Sequence, residues 1–131
     1  MNLNEPRAGA ANPRSGLLFI AFGNSLRGLG LAARSERAVR QELIVLAVAI
    51  PAALLITDQL WTRVALVGVL LIVMAIELLN TGLEKLCDHV TPTHHPQIGA
   101  VKDLGSAAVF CGLLLATLVW AAALTEVLLG R

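Results

Sequence analysis

The sequence predicts an all-α membrane protein in which an N-terminal amphipathic surface helix precedes three transmembrane helices. Of the 131 residues, 56% are hydrophobic and only 15% are charged, and the mean hydropathy is +0.75. A soluble domain carries roughly 25% charged residues. Three long stretches that are almost free of charge follow residue 40 and supply the spans. The length fits a single domain, which we expect to comprise residues 17–131.

The composition also argues against several other classes of protein. Aromatic residues make up 4% and Tyr is absent, which disfavours a protein that binds nucleic acid by stacking bases. The net charge of +1 creates no field that would attract polyanions. Two cysteines are too few for a disulfide framework. The phosphate-binding pattern G-x-x-x-x-G-K-[ST] and the G-x-S-x-G, H-E-x-x-H and C-x-x-C motifs do not occur.

The N-terminal region predicts a disordered tail followed by a helix that lies on the membrane surface. Residues 1–16 are rich in Asn, Pro and Arg and predict the tail. In residues 17–34, apolar side chains recur at intervals of three and four, with glycines and arginines on the opposite face. The apolar stripe consists of Leu18, Phe22, Leu26, Leu29 and Ala33. This helix is either an anchor alone or part of a functional site.

Three transmembrane spans are predicted at about residues 40–58, 62–84 and 103–126. The first has an uncharged stretch of fifteen residues, Leu43–Thr57, interrupted by Pro51. Because that stretch is shorter than a hydrocarbon core of roughly 30 Å, the span must include polar flanking residues. The second contains one carboxylate, Glu77, and the third has no charge between Leu104 and Thr125.

Basic residues near the spans predict the orientation. Two lie on the side of the C-terminus, Arg63 and Arg131. Six lie on the side of the N-terminus and of the loop between the second and third spans: Arg27, Arg34, Arg37, Arg40, Lys85 and Lys102. We therefore expect the N-terminus and that loop to be cytoplasmic.

Glu77 is the leading candidate for a functional residue. A carboxylate inside a span costs about 2.5–3.5 kcal/mol on insertion scales and commonly marks function. Asn80, Glu84 and Asp88 follow it at spacings of three, four and four, so all four side chains project from one helical face. In the alternative interpretation, Glu77 and Asn80 only bridge helices, and Glu84 and Asp88 only solvate the end of the span.

Two further polar segments flank the spans. Glu36 and Arg40 have the spacing of an ion pair on a helix, which by itself is typical of a solvated helix start. Lys102 precedes Asp103, and Asp103 is expected to cap the third span. The segment between the second and third spans also contains possible metal ligands, namely Cys87, Asp88, His89, His94 and His95. Its prolines favour a rigid loop over a metal site.

Residues 36–42, 77–88 and 102–109 together resemble the prokaryotic integral-membrane diacylglycerol kinases. The matching blocks are Glu36-x-x-x-Arg40-Gln41-Glu42, Glu77-Leu78-Leu79-Asn80-Thr81-x-x-Glu84-x-x-x-Asp88, and Lys102-Asp103-Leu104-Gly105-Ser106-Ala107-Ala108-Val109. The resemblance covers roughly residues 17–125, and its second and third blocks are specific in combination. It implies a homotrimer in the bacterial inner membrane with sites shared between subunits, and a kinase that uses ATP and Mg²⁺ from the cytoplasm.

The resemblance also implies roles for individual residues. Glu77 would be the general base toward the hydroxyl of the lipid, and Asn80 would orient the reacting groups. Glu36 and Glu84 would hold Mg²⁺ and thereby the nucleotide. Further nucleotide-binding positions would be Lys102, Asp103, Ser25 and Arg27. Further positions on the substrate side would be Ser106, Arg40 and Glu42.

The lipid substrate and the function class retain alternatives. Leu17 and Gly30 stand where many members of the family carry basic residues, which concerns the substrate-gripping half of the site. His95-Pro96 resembles relatives that phosphorylate undecaprenol, whereas Gly105–Val109 is closer to the diacylglycerol branch. We expect diacylglycerol as substrate, with undecaprenol as the alternative. An alternative from another functional class is a non-enzymatic membrane scaffold or channel subunit whose acidic residues line a water-filled seam.

Overall fold

Four α-helices make up the computed structural model, which describes residues 13–91, 93 and 95–130. They are α1 (Pro13–Ser35), α2 (Arg37–Ile56), α3 (Leu60–Val90) and α4 (Pro96–Leu128). The chain divides into two units, residues 1–31 and 32–131. The first contains most of α1, and the second contains its end and the other three helices. The predicted all-α class is confirmed.

All four helices in the described part of the chain are long and apolar enough to cross a membrane. By composition, the most apolar stretches of α2, α3 and α4 are more hydrophobic than Gly16–Ser35 of α1. α2, α3 and α4 correspond to the three predicted spans. The placement of residues 17–34 on the membrane surface stays a prediction, because the length and composition of α1 also suit a span.

The helices extend further than the predicted segments. α1 begins at Pro13 rather than at residue 17, and the rest of the predicted tail lies outside the described residues. α3 continues to Val90 rather than ending near residue 84. α4 begins at Pro96, where His95 is the N-cap and its Nδ1 accepts from the backbone N–H of Gln97 at 3.3 Å. Asp103 is therefore inside α4, and the expectation that it caps the span was wrong.

α3 is the central helix of the second unit, because it packs against both α2 and α4 while those two make few contacts with each other. Leu66 of α3 is fully buried between Ala53 of α2 and Ala123 of α4. One and two helical turns further on, Val69 and Val73 pack against Ala116 of α4. Small residues on α2 and α4 let the helices approach α3 closely, as is common in membrane bundles.

The α2–α3 connection is held by Arg63, whose guanidinium caps the end of α2. Its Nε donates to the Thr57 carbonyl at 2.6 Å, and its Nη2 donates to the Leu54 carbonyl at 3.1 Å. The same Nη2 forms an ion pair with Asp58 at 3.0 Å. A cation at a helix C-terminus satisfies carbonyls that have no partner within the helix.

Replacement of Arg63 by Met should therefore destabilise the second unit. Hydrogen bonds from a charged donor contribute about 1.5–3 kcal/mol each when partly shielded, and the variant leaves the carbonyls of Leu54 and Thr57 without this donor. We expect the free energy of unfolding in detergent to fall by about 1–3 kcal/mol. The control is Arg37→Met, at an exposed position. Equal stability of the two variants would show that the cap contributes nothing.

Candidate active site

Three other carboxylates of the second unit lie near Glu77 on α3. Glu77 is half-buried, and the charges of Glu84 on α3 and of Glu36 at the α1–α2 junction act on it. Glu42 of α2 is also half-buried and lies close enough to Glu77 to be affected by its charge. The structure thus brings together Glu77, Glu84, Glu36 and Glu42 of the predicted site residues.

Glu36 is held by α3 rather than by its own helix. Its Oε1 accepts from Lys85 Nζ at 2.6 Å and from Ser35 Oγ at 2.9 Å. The hydrogen bond and charge of Lys85, together with the Ser35 hydroxyl, hold the pKa of the Glu36 carboxyl below its ordinary value. The carboxylate therefore stays ionised at neutral pH and links the start of α2 to α3.

The expected ion pair between Glu36 and Arg40 does not form. Glu36 is the N-cap of α2 and has extended backbone angles (φ −110°, ψ 126°), so its side chain does not follow the helical face that carries Arg40. Arg40 instead donates from Nη1 to the Arg34 carbonyl at 3.1 Å, at the end of α1. Arg40 is exposed, and its hydrogen bond links the first turn of α2 to the last turn of α1.

Asn80 connects the buried and exposed parts of the site. Its Nδ2 donates to Glu84 Oε1 at 3.2 Å, while its Oδ1 is buried and has no hydrogen-bond partner among the described residues. Glu84 itself is exposed. Because a carboxylate only accepts hydrogen bonds, the amide NH₂ must face Glu84. The orientation of the Asn80 amide is thus fixed by its neighbour.

A second ion pair joins α3 to α4 beyond Glu84. Lys102 Nζ lies 2.5 Å from Asp88 Oδ1. This contact places a cation from α4 beside the acidic face of α3. Asp103 and Ser106, on the next turn of α4, are exposed.

The donors in this cluster fit a divalent cation that is shared with a ligand. Within the part of the chain that the structure describes, no group of three or more His, Cys, Asp or Glu side chains could hold a metal by itself. Mg²⁺ in kinases is commonly bound by one or two carboxylates together with substrate phosphates. Glu42 Oε2 is moreover a buried carboxylate oxygen without a hydrogen-bond partner among the described residues. A buried carboxylate oxygen beside a second carboxylate needs either a proton or a positively charged partner.

The remaining predicted positions lie in other surroundings. Ser25 Oγ donates to the Ala21 carbonyl at 3.0 Å, and Arg27 donates to Asn24. Both residues belong to the first unit, residues 1–31. Asp88, near the end of α3, is paired with Lys102, and His94 of the loop lies outside the described residues.

Sequence reasoning missed three contacts around the site. Lys85 was used only for orientation, although it pairs with Glu36 across 49 positions of the chain. Lys102 was predicted to bind nucleotide, and its ion pair with Asp88 was not expected. The close approach of Gly105 to Asn80 was also missed. In the sequence, only opposite charges indicated the two ion pairs. Only a glycine inside a long helix indicated the approach of Gly105 to Asn80.

Comparison with known proteins identifies the family. Residues 23–124 match the family described as prokaryotic diacylglycerol kinase. The chain is 39% identical to a diacylglycerol kinase of Pseudomonas aeruginosa over 101 residues, which cover 77% of this chain and 82% of that protein. It is 35% identical to a diacylglycerol kinase of Escherichia coli K12 over 112 residues, which cover 84% and 92%. The chain therefore belongs to the prokaryotic diacylglycerol kinase family of lipid kinases.

Proposed function

We propose that this protein transfers the γ-phosphoryl group of ATP to the primary hydroxyl of diacylglycerol and produces phosphatidate and ADP. The observation that carries the proposal is the position of Glu77, half-buried on a span and near Glu36, Glu42 and Glu84. A base at that depth can meet the hydroxyl of a lipid, while Glu84 reaches water. The names of the relatives supply the substrate class.

In the proposed reaction, Glu77 is the general base. Its carboxylate accepts the proton as the lipid oxygen forms a bond to the γ-phosphorus, and the bond from that phosphorus to the β–γ bridging oxygen breaks and leaves ADP. Such a transfer depends on positioning and charge neutralisation more than on covalent catalysis. Asn80 supports it by orienting Glu84 through its Nδ2.

Glu36 and Glu84 would hold Mg²⁺, which supplies neutralisation of the negative charge on the phosphates when it is bound. Each carboxylate uses Oε1 for a protein contact, and no hydrogen bond to either Oε2 occurs among the described residues. These oxygens belong to the hard donor type that Mg²⁺ prefers. Lys102 and Asp103 would then contact the nucleotide at the exposed end of α4.

The remaining site positions complete the proposal. Ser25 and Arg27 would contribute on the nucleotide side, from the predicted surface helix. Arg40, Glu42 and Ser106 would contribute on the lipid side, where the buried Glu42 Oε2 is available as a hydrogen-bond acceptor.

We also propose a homotrimer in the bacterial inner membrane, with the N-terminus in the cytoplasm. A single chain leaves Glu84, Asp103 and Ser106 exposed. A site that excludes water from the phosphoryl group needs further walls, and further copies of the chain could supply them. Light scattering of the protein in detergent micelles should give a mass of three chains, and a monomer mass would contradict the shared site.

The activity is tested with a panel of lipid alcohols. Purified protein with Mg²⁺-ATP should form labelled phosphatidate from short-chain diacylglycerol, and ATP consumption should require the lipid. Faster turnover of undecaprenol than of diacylglycerol would show that the lipid substrate is undecaprenol and would leave the proposed kinase activity unchanged. A scaffold or channel subunit would consume no ATP with any lipid alcohol, and that result would overturn the proposed function.

A further inference from the structure

Gly105 of α4 stands directly against the Asn80 side chain of α3. A Cβ at this position would collide with Asn80 Oδ1 and would lie 3.2 Å from Leu83 Cδ2. Among the described helical glycines, only Gly105 and Gly112 have any such neighbour within 4 Å. The two helices therefore approach at Gly105 because the residue has no side chain.

Asn80 Oδ1, which lies against Gly105, belongs to a side-chain amide whose nitrogen already donates a hydrogen bond. Asn80 Nδ2 donates to Glu84 Oε1 at 3.2 Å. A flip of the amide would turn its oxygen toward the Glu84 carboxylate, where two acceptors would face each other. Because the clashing atom is the end of a side chain, a new Asn80 rotamer is the least costly way to accommodate an added methyl group, and it moves Nδ2 away from Glu84.

The surroundings give the displaced amide no polar alternative. Asn80 lines a groove of about 410 Å³ between α3 and α4 whose other lining residues are Ile76, Leu79, Leu83, Gly105 and Ala108. These side chains offer no hydrogen-bond donor or acceptor. A rotated Asn80 amide would therefore lose its contact with Glu84 without gaining another from the groove.

We propose that Gly105 is a positioning residue for phosphoryl transfer: the missing side chain keeps the Asn80 amide in the rotamer that holds Glu84. This inference rests on the proposed function, in which Glu84 binds the cation–nucleotide complex. It goes further by assigning a role to a residue that touches neither substrate nor metal. The contact acts through Asn80, so it should be lost when Asn80 is absent.

The test is a double-mutant cycle in the full-length protein. It compares Gly105→Ala, Asn80→Ala and the double variant, with Gly82→Ala as the matched control, since a Cβ at Gly82 meets nothing within 4 Å. For each protein, kcat, the KM for Mg²⁺-ATP, the affinity for Mn²⁺ by electron paramagnetic resonance and the thermal unfolding midpoint are measured. Turnover is followed with whichever lipid alcohol the wild type phosphorylates.

We expect Gly105→Ala to lower kcat/KM for Mg²⁺-ATP about tenfold or more and to weaken Mn²⁺ binding, whereas in the Asn80→Ala background it adds less than about twofold. Gly82→Ala should stay within about twofold of wild type. Wild-type kinetics of Gly105→Ala, or losses that add independently of Asn80, would overturn the inference. If Gly105→Ala does not fold alone, the double variant must fold, and its failure also overturns the inference. Absence of wild-type turnover with every lipid would instead overturn the proposed function.

Discussion

Glu77→Gln should reduce lipid phosphorylation by about two orders of magnitude or more while leaving the protein folded. The substitution keeps the size of the side chain but removes its ability to take a proton. Loss of a general base commonly costs about 100- to 10,000-fold in rate, and we expect kcat to fall within that range. Because an amide replaces a half-buried carboxylate, the variant should unfold at the same temperature as the wild type or higher.

Two controls separate loss of the base from a general effect of neutralising a carboxylate. Glu126→Gln removes an exposed carboxylate near the other end of α4 and should leave kcat unchanged. Glu77→Asp keeps the carboxylate but withdraws it by one methylene, so it should retain more activity than Glu77→Gln. If Glu77→Gln phosphorylates diacylglycerol at the wild-type rate, Glu77 is not the base.

The acidic face of α3 could be predicted from the sequence because a single helix determines it. Spacings of three and four place Glu77, Asn80 and Glu84 on one side of any α-helix, whatever else the chain does. The structure keeps them on one helix and adds a hydrogen bond from Asn80 to Glu84. The long stretches almost free of charge also located α2, α3 and α4, since a span needs about 20 predominantly apolar residues.

Contacts between helices could not be predicted in the same way. The spacing of four residues indicated Arg40 as the partner of Glu36, although the partner is Lys85 on α3. That choice depends on where α2 begins, because Glu36 precedes the helix instead of lying on it. Asp103 was similarly assigned to a helix start that is formed by His95. Element boundaries and long-range pairing therefore limited the prediction of the site.

Glu84→Gln should produce a different defect from Glu77→Gln. The difference shows which carboxylate binds the metal and which one is the general base. The glutamine keeps an oxygen that can accept the hydrogen bond from Asn80 Nδ2, so the local geometry is preserved and only the negative charge is lost. If Glu84 holds the cation, kcat/KM for Mg²⁺-ATP should fall about 100-fold. The Mg²⁺ concentration for half-maximal activity should rise about tenfold.

Binding of Mn²⁺ separates the two roles without relying on turnover. Glu84→Gln should weaken Mn²⁺ binding to the protein with a non-hydrolysable ATP analogue, whereas Glu77→Gln should bind it as the wild type does. Glu126→Gln again serves as the control for removal of one negative charge, because a purely electrostatic effect of net charge would appear in it as well. Equal Mn²⁺ affinity in Glu84→Gln and the wild type would remove Glu84 from the metal site. Weak binding in Glu77→Gln alone would instead make the deeper carboxylate a metal ligand rather than a base.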